Sequence, residues 1–416
     1  MKNDTVVSLP ERANLEPKSP LEQLIAEGAR KMLQAAIENE VQEYLQAYGA
    51  RRTDDGQAVV VRNGHLPERD LVTGVGPLKV RQPRVRRRDG QRFSSAILPR
   101  YLRRVPSIDA LIPTLYLKGI STGDFTDALT AILGEKAAGL SATNIVRLKA
   151  GWEDEYQAWR HRDLSAKRYV YWWADGIYFN VRLDDDRTCV LVLIGATEDG
   201  TKELLAVVDG FRESKDSWGD LLRELKHHGL TQPPKLATGD GSLGFWIALQ
   251  EEFGTSVEQQ RCWVHKTANV LDKLPKSLQG RAKEMLHDLY LAPARHDALT
   301  AYDRFLSNYQ LKYPKACDCL EKDKGVLFTF FDFPAEHWSH LRTTNPIEST
   351  FATVRLRTQR TKGCGSRIAT LTMVYKLGLE AQKAWRRLNG ADQIAKIITG
   401  TRFVDGVEIT KNQQAA

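Results

Sequence analysis

Three acidic residues in this chain stand where carboxylates can do chemistry: Asp175 in ADGIYF, Asp240 in TGDGS and Glu348 in NPIEST. Taken singly, each has an ordinary use. Asp175-Gly176 suits a turn, Asp240 between two glycines suits a loop or a helix cap, and Glu348 suits the first turn of a helix, where its charge offsets the dipole. Taken together they are a set of hard oxygen ligands. Three carboxylates at one edge repel unless a cation joins them. Mg2+ or Mn2+ fits such a set and keeps positions open for water and phosphate oxygens. Two such ions about 3.5–4 Å apart clamp the attacking and leaving oxygens of a phosphodiester. Around Glu348 lie Thr343, Thr344 and Asn345, then Arg355, Arg357 and Arg360, all groups suited to phosphate.

The acids are 65 and 108 residues apart, so only a fold can bring them together. RYVYWWADGIYFNVRL (168–183), TCVLVLIGATEDG (188–200) and KELLAVVDG (202–210) are rich in aromatic and β-branched residues. They read as an antiparallel meander with turns at 184–187 and 198–201. SKDSWGDLLRELKHHG follows as a helix capped by Ser214 or Ser217, then a short strand PPKLATGDG, then a helix SLGFWIALQEEFG capped by Ser242. The expected fold class is an α/β core with a mixed sheet in β-β-β-α-β order. In that order the first strand is central and the fourth lies parallel beside it. Asp175 within one and Asp240 at the carboxyl end of the other then approach one another, at the edge where ligands bind. Residues 261–341 read as an all-helical insertion, and Glu348 opens a helix after it.

The rest of the chain is read around that core. At 416 residues, a prior of roughly 150 per domain gives about three domains. With 42% hydrophobic and 27% charged residues the chain is globular rather than disordered. Residues 1–18 are a polar tail expected to be disordered, and 401–416 a second polar tail. Residues 19–49 read as an amphipathic helix with Ser19 as N-cap, Pro20 in the first turn and Glu22 closing a capping box, a candidate oligomerisation element. The net charge of +8 is uneven: residues 81–104 hold nine Arg against a single Asp. Arg81, Arg84, Arg86, Arg87 and Arg88 make 50–106 a candidate DNA-binding surface or, alternatively, a solvated basic loop. Residues 107–165 read as helices, with Ser121 and Ser141 as caps, and fit a helix-turn-helix or an ordinary bundle. The core then comprises 166–260 and 342–400. Five cysteines form no framework, no apolar leader occurs, and no apolar run reaches the roughly 18 residues of a membrane span, so a cytoplasmic protein is expected.

Several stretches together resemble the Mutator-like transposases of bacterial insertion sequences. They are DGIYFNVR around Asp175, LATGDGSLGFW around Asp240, QRCWVHKTANVL, and RTTNPIESTFATVRLRT around Glu348, with LYLKGISTGDFTDAL and GLSATNIVRLKAGWEDEYQAWRHRDL upstream. The resemblance spans roughly residues 20–400. It implies an RNase H-like domain with an Asp-Asp-Glu triad, here Asp175, Asp240 and Glu348, and a helical insertion before the Glu. It also implies a Cys-x-x-His pair, matched by Cys262 and His265. The Arg pair that commonly follows the Glu helix is spaced here by Leu356, as Arg355 and Arg357.

Other residues carry weaker signals. Cys262 and His265 are half a zinc site with no suitably spaced second pair, so packing, or a DNA contact by His265, is expected instead. Trp338, flanked by His337 and His340, suits stacking on an unpaired base or burial. Ser214 and Ser242 lack a local His and Asp, which argues against covalent catalysis. The combined expectation is a DNA transposase. It would bind terminal inverted repeats and target DNA as at least a dimer, and would use two Mg2+ or Mn2+ ions in a bacterial, nucleoid-associated setting. A DNA-binding regulator and a nuclease without strand transfer are the alternatives.

Overall fold

The computed structural model describes residues 19–105, 142–179, 188–210, 212–241, 243–348, 350–351 and 367–409. The expectations on residues 1–18, the caps Ser121, Ser141 and Ser242, the 184–187 turn, and Arg355, Arg357 and Arg360 lie outside these residues. The chain divides near residue 146 into two compact units.

In the N-terminal unit, helix α1 (Pro20–Ala47) begins as its sequence specifies. Ser19 Oγ accepts from the Glu22 amide at 3.2 Å, and Glu22 Oε2 accepts from the Ser19 amide at 2.9 Å. Two otherwise unpaired N–H groups are thereby satisfied. The second half of α1 buries Ile37 against Leu71, Val80 and Leu98, whereas Leu21, Leu24 and Met32 in the first half are 65%, 68% and 76% exposed. Two antiparallel strand pairs accompany it among the described residues. β1 (Val60–His65) pairs with β4 (Pro83–Arg87), and β2 (Arg69–Thr73) with β3 (Gly76–Val80). Strand alternation in β4 turns Arg84 and Arg86 to solvent, with Arg88 continuing that face.

The C-terminal unit is built on one mixed sheet. β5 (Tyr169–Phe179), β6 (Thr188–Thr197) and β7 (Lys202–Gly210) form the meander. Helix α3 (Lys215–His227), entered through Ser214 as N-cap, crosses over to β8 (Leu236–Gly239). Helix α4 (Leu243–Phe253) leads to β9 (Glu258–Arg261). The order across the sheet is β7-β6-β5-β8-β9, with β8 parallel to both β5 and β9. β5 is therefore central. Its apolar run from Tyr169 to Ala174 follows from burial on both faces. Trp172 and Ala174 face Trp218, Leu222, Phe245 and Leu249 of α3 and α4, while Tyr171, Trp173 and Ile177 face the opposite core. That opposite core gathers Tyr156 of helix α2 (Ala142–Arg160) and Tyr375 of the late helix α9 (Arg367–Gln382). It also takes residues of α5 (Trp263–Leu271), α6 (Lys276–Tyr290), α7 (Arg295–Tyr309) and α8 (Pro314–Glu321). Helices thus cover both faces of the sheet.

Two features depart from the sequence reading. β9 is a fifth strand that EQQR does not announce, because its inward residue is polar. Gln260 is fully buried, and its amide donates to the carbonyls of Arg261 and Leu327 at 2.8 and 3.0 Å and accepts from the Phe330 amide at 2.9 Å. Residues 403–408 are not a loose tail. They form a short hairpin in which Asp405 Oδ1 accepts from the Arg295 amide at 2.6 Å and the Gly406 amide reaches Phe331 O at 3.1 Å. Among the described residues no helix is long and apolar enough to cross a membrane.

Candidate active site

Strand register places the first two acids. Ala174 of β5 pairs with Gly239 of β8, so Asp175 and Asp240 occupy the next positions on adjacent parallel strands. Asp175 is 4% exposed and Asp240 half-buried. The Gly176 amide donates to Asp175 Oδ1 at 3.0 Å and fixes its rotamer. After Asp240 the chain turns through Gly241 at φ +87°, a left-handed conformation that costs a side-chain-bearing residue about 1–2 kcal/mol. A Cβ there would also sit 2.2 Å from Arg261 Nε.

Glu348 arrives from the far end of the insertion, and a series of hydrogen bonds brings it in. The Thr238 hydroxyl donates to Leu341 O at 2.8 Å, and the Trp263 amide to Arg342 O at 2.9 Å. These bonds lay residues 341–344 along the ends of β8 and β9. Thr344 then starts a helical turn, its carbonyl accepting from the Glu348 amide at 3.1 Å and its hydroxyl donating to Glu348 Oε1 at 3.1 Å. Cys262, the N-cap of α5, is fully buried, and its sulfur accepts from the Thr344 amide at 3.3 Å. Burial pushes the Cys262 thiol up. His265, one turn into α5, lies with Nδ1 3.6 Å from Glu348 Oε1. Cys262, His265 and Glu348 present ligand atoms within 4.8 Å of one another. The Cys-x-x-His pair thus braces Thr344 and Glu348 at this edge.

The electrostatics tie the acids into one group. Burial pushes the Asp175 carboxyl up to about 7. The positive field of His265 opposes this, and the charges of Asp240, Glu213 and Glu348 add to it. Glu213, absent from the sequence reading, is likewise pushed up to about 7, by burial first and then by the charge of Asp240 and a hydrogen bond to it. A signal for Glu213 was present. β7 runs parallel to β5, because both are antiparallel to β6, and Glu213 lies three residues past the carboxyl end of β7. Buried carboxylates that raise one another's pKa, with hard oxygens and a single nearby imidazole, suit a divalent cation.

The remaining candidates separate. Asn345 is exposed at the start of the Glu348 helix. Arg81, Arg84, Arg86 and Arg88 are exposed on the N-terminal unit. The Arg87 side chain is only 4% exposed, its Nε donates to Asp89 Oδ1 at 2.9 Å, and its guanidinium lies 4.6 Å from the Tyr48 ring centroid. Of the two readings of Trp338 the structure shows burial rather than an open stacking face: it is 8% exposed, packs 4.8 Å from Phe331, and donates Nε1–H to Phe333 O at 2.8 Å. Its neighbour His337 is fully buried between the Tyr171 hydroxyl at 2.8 Å and Gly390 O at 2.9 Å.

A mixed α/β unit that brings together acids from the middle of β5, the end of β8 and a later helical turn fits an enzyme in the broad sense only, and comparison with known proteins narrows it. Residues 2–387 match the sequence model described as "Transposase, Mutator family", and the chain belongs to that family. It is 51% identical over 296 residues to the transposase for insertion sequence element IS6120 of Mycolicibacterium smegmatis, a match covering 71% of this chain and 91% of that protein. The transposase for IST2 of Acidithiobacillus ferrooxidans is 48% identical over 288 residues, covering 68% of this chain and 95% of that protein. The transposase for IS256 in transposon Tn4001 of Staphylococcus aureus is 31% identical over 326 residues, covering 77% and 80% of the two chains.

Proposed function

We propose that the protein binds the terminal inverted repeats of its element, cuts at the element's 3′ ends and joins them to target DNA. The observation that carries this reading is the register of β5 and β8, with Asp175 and Asp240 side by side and Glu348 coupled to Asp175 by charge. The strand order β7-β6-β5-β8-β9 supports an RNase H-like core. Asp175, Asp240 and Glu348 would hold two Mg2+ or Mn2+ ions, which when bound supply Lewis acidity to the phosphodiester and lower the pKa of a bound water.

The protein's own groups prepare that centre. The Gly176 amide and the Thr344 hydroxyl hold one oxygen each of Asp175 and Glu348, so the carboxylates lose little freedom on taking a ligand. His265, with Nδ1 3.6 Å from Glu348 Oε1, flanks that carboxylate. Asn345, with Arg355, Arg357 and Arg360 further along, contacts the phosphates of the reacting strand. The face of β4 that carries Arg84 and Arg86 contacts duplex phosphates, which position without specifying sequence. Both ends of an element must be held together, and the exposed apolar start of α1 supplies a contact with a second copy. Deleting residues 1–49 is expected to abolish assembly on end DNA. The same mass with and without them would remove that role.

The decisive experiment incubates purified protein with end DNA, a target plasmid and Mg2+, alongside Asp240→Asn. Joined product from the wild type, with end binding but no cleavage in the variant, is the expected result. Cleavage without joining would make the protein a nuclease, and indifference to Asp240→Asn would leave only a DNA-binding regulator.

A further inference from the structure

We propose that Glu213 is a fourth carboxylate of this centre, ligating the divalent cation that Asp240 also holds. The assignment rests on the metal-dependent reading given above and extends it to a residue outside the Asp175, Asp240 and Glu348 set.

Three observations converge on Glu213. The first is topological: it leaves the carboxyl end of β7, a strand parallel to β5 and β8, and so enters on the edge where Asp175 and Asp240 lie. The second is steric. The Glu213 side chain lies over Gly176, where a Cβ would stand 2.3 Å from its Cδ and Cγ and 2.5 Å from Oε1. Real Cβ atoms do not approach so closely, so the residue after Asp175 must lack a side chain for Glu213 to reach this place. The third is chemical: the Glu213 and Asp240 side chains adjoin each other, two sets of hard oxygen donors that a divalent cation bound between them would join.

The alternative use of Glu213 is local, as an acid near the N-terminus of α3. The geometry argues against it, because that terminus is already capped. Ser214 Oγ accepts from the Ser217 amide at 3.2 Å, while Glu213 precedes the cap and turns inward. The phenol of Tyr178 also hydrogen-bonds to Glu213 and steadies it in place.

The test measures Mn2+ binding by calorimetry on the full-length chain, with thermal unfolding in chelator as the check on folding. Glu213→Gln keeps shape and removes the charge. It is expected to weaken Mn2+ binding at least tenfold with no drop in the chelated melting temperature. Gly176→Ala, which leaves Glu213 in the chain but forces it aside, is expected to weaken binding to a similar degree. Glu213→Asp, which retains a carboxylate, is expected to fall between wild type and Glu213→Gln. Asp240→Asn serves as the reference and is expected to lose binding more severely. Wild-type Mn2+ affinity in Glu213→Gln, with binding lost in Asp240→Asn, overturns the role of Glu213 and leaves the three-acid centre standing. Wild-type affinity in Asp240→Asn overturns the centre itself.

Discussion

If the acids of this edge are organised for a cation, the metal-free protein carries them at a cost, and Asp175→Asn should reveal it. Burial pushes the Asp175 carboxyl, ordinarily near 3.8, up to about 7 in the fold. The folded-state value is the higher one, so the stabilising contribution is fully present below pH 4 and is lost as pH rises through about 7. A tenfold change in proton affinity is worth about 1.4 kcal/mol. The pH-dependent loss by pH 8 is then about 4 kcal/mol, against about 2 kcal/mol by pH 5. Asparagine keeps an oxygen for the Gly176 amide and removes the charge. In chelator the variant should therefore gain on the wild type by about 2–3 kcal/mol between pH 5 and pH 8, several degrees in melting temperature for a domain of this size. Part of the slope persists in the variant, since Glu213 is also pushed up to about 7. Millimolar Mg2+ should reverse the ranking, because only the wild type gains ligand-binding free energy. Thermal unfolding at pH 5–8, with chelator and with Mg2+, reads both effects. Identical pH slopes in the two proteins, or an equal Mg2+ shift, would refute the reasoning.

Asp323→Asn should cost about 3–5 kcal/mol in chemical denaturation, because Arg261 and Lys266, whose side chains are 5% and 2% exposed, would be left buried without their shared carboxylate; an unchanged midpoint contradicts this. Replacing Arg84, Arg86 or Arg88 by Ala should each reduce the slope of log affinity against log salt by about 0.9 in anisotropy titrations with duplex DNA. Arg87→Ala should instead destabilise the N-terminal unit and leave that slope alone, since its guanidinium packs on Tyr48 and bonds Asp89. Trp338→Phe should lose about 1 kcal/mol with the bond to Phe333 O and keep wild-type affinity for end DNA; a marked fall in affinity would restore a base-contacting role.

How much of this was legible in advance follows from the range of each interaction. The capping box of Ser19 and Glu22 and the Ser214 cap are satisfied within three residues, so the sequence carries them whole. The meander and the parallel return of β8 follow from runs of β-branched and aromatic residues and from chain connectivity, which is why Asp175 and Asp240 could be paired from strand order alone. β9 escaped notice because Gln260 is stabilised by the backbone of residues 327–330, partners no periodicity announces. Glu213 looked like any acid before a helix, and only the bare backbone of Gly176 and the proximity of Asp240 show where it goes. Arg87 and Trp338 have surface-compatible sequences, yet their environments are supplied by residues that the fold brings to them. By itself, then, the sequence determined the order of the first four strands of the mixed sheet, the Ser19 and Ser214 caps and the family to which the chain belongs. The tertiary structure alone decided which charges are buried together, since burial depends on contacts between segments far apart in the chain.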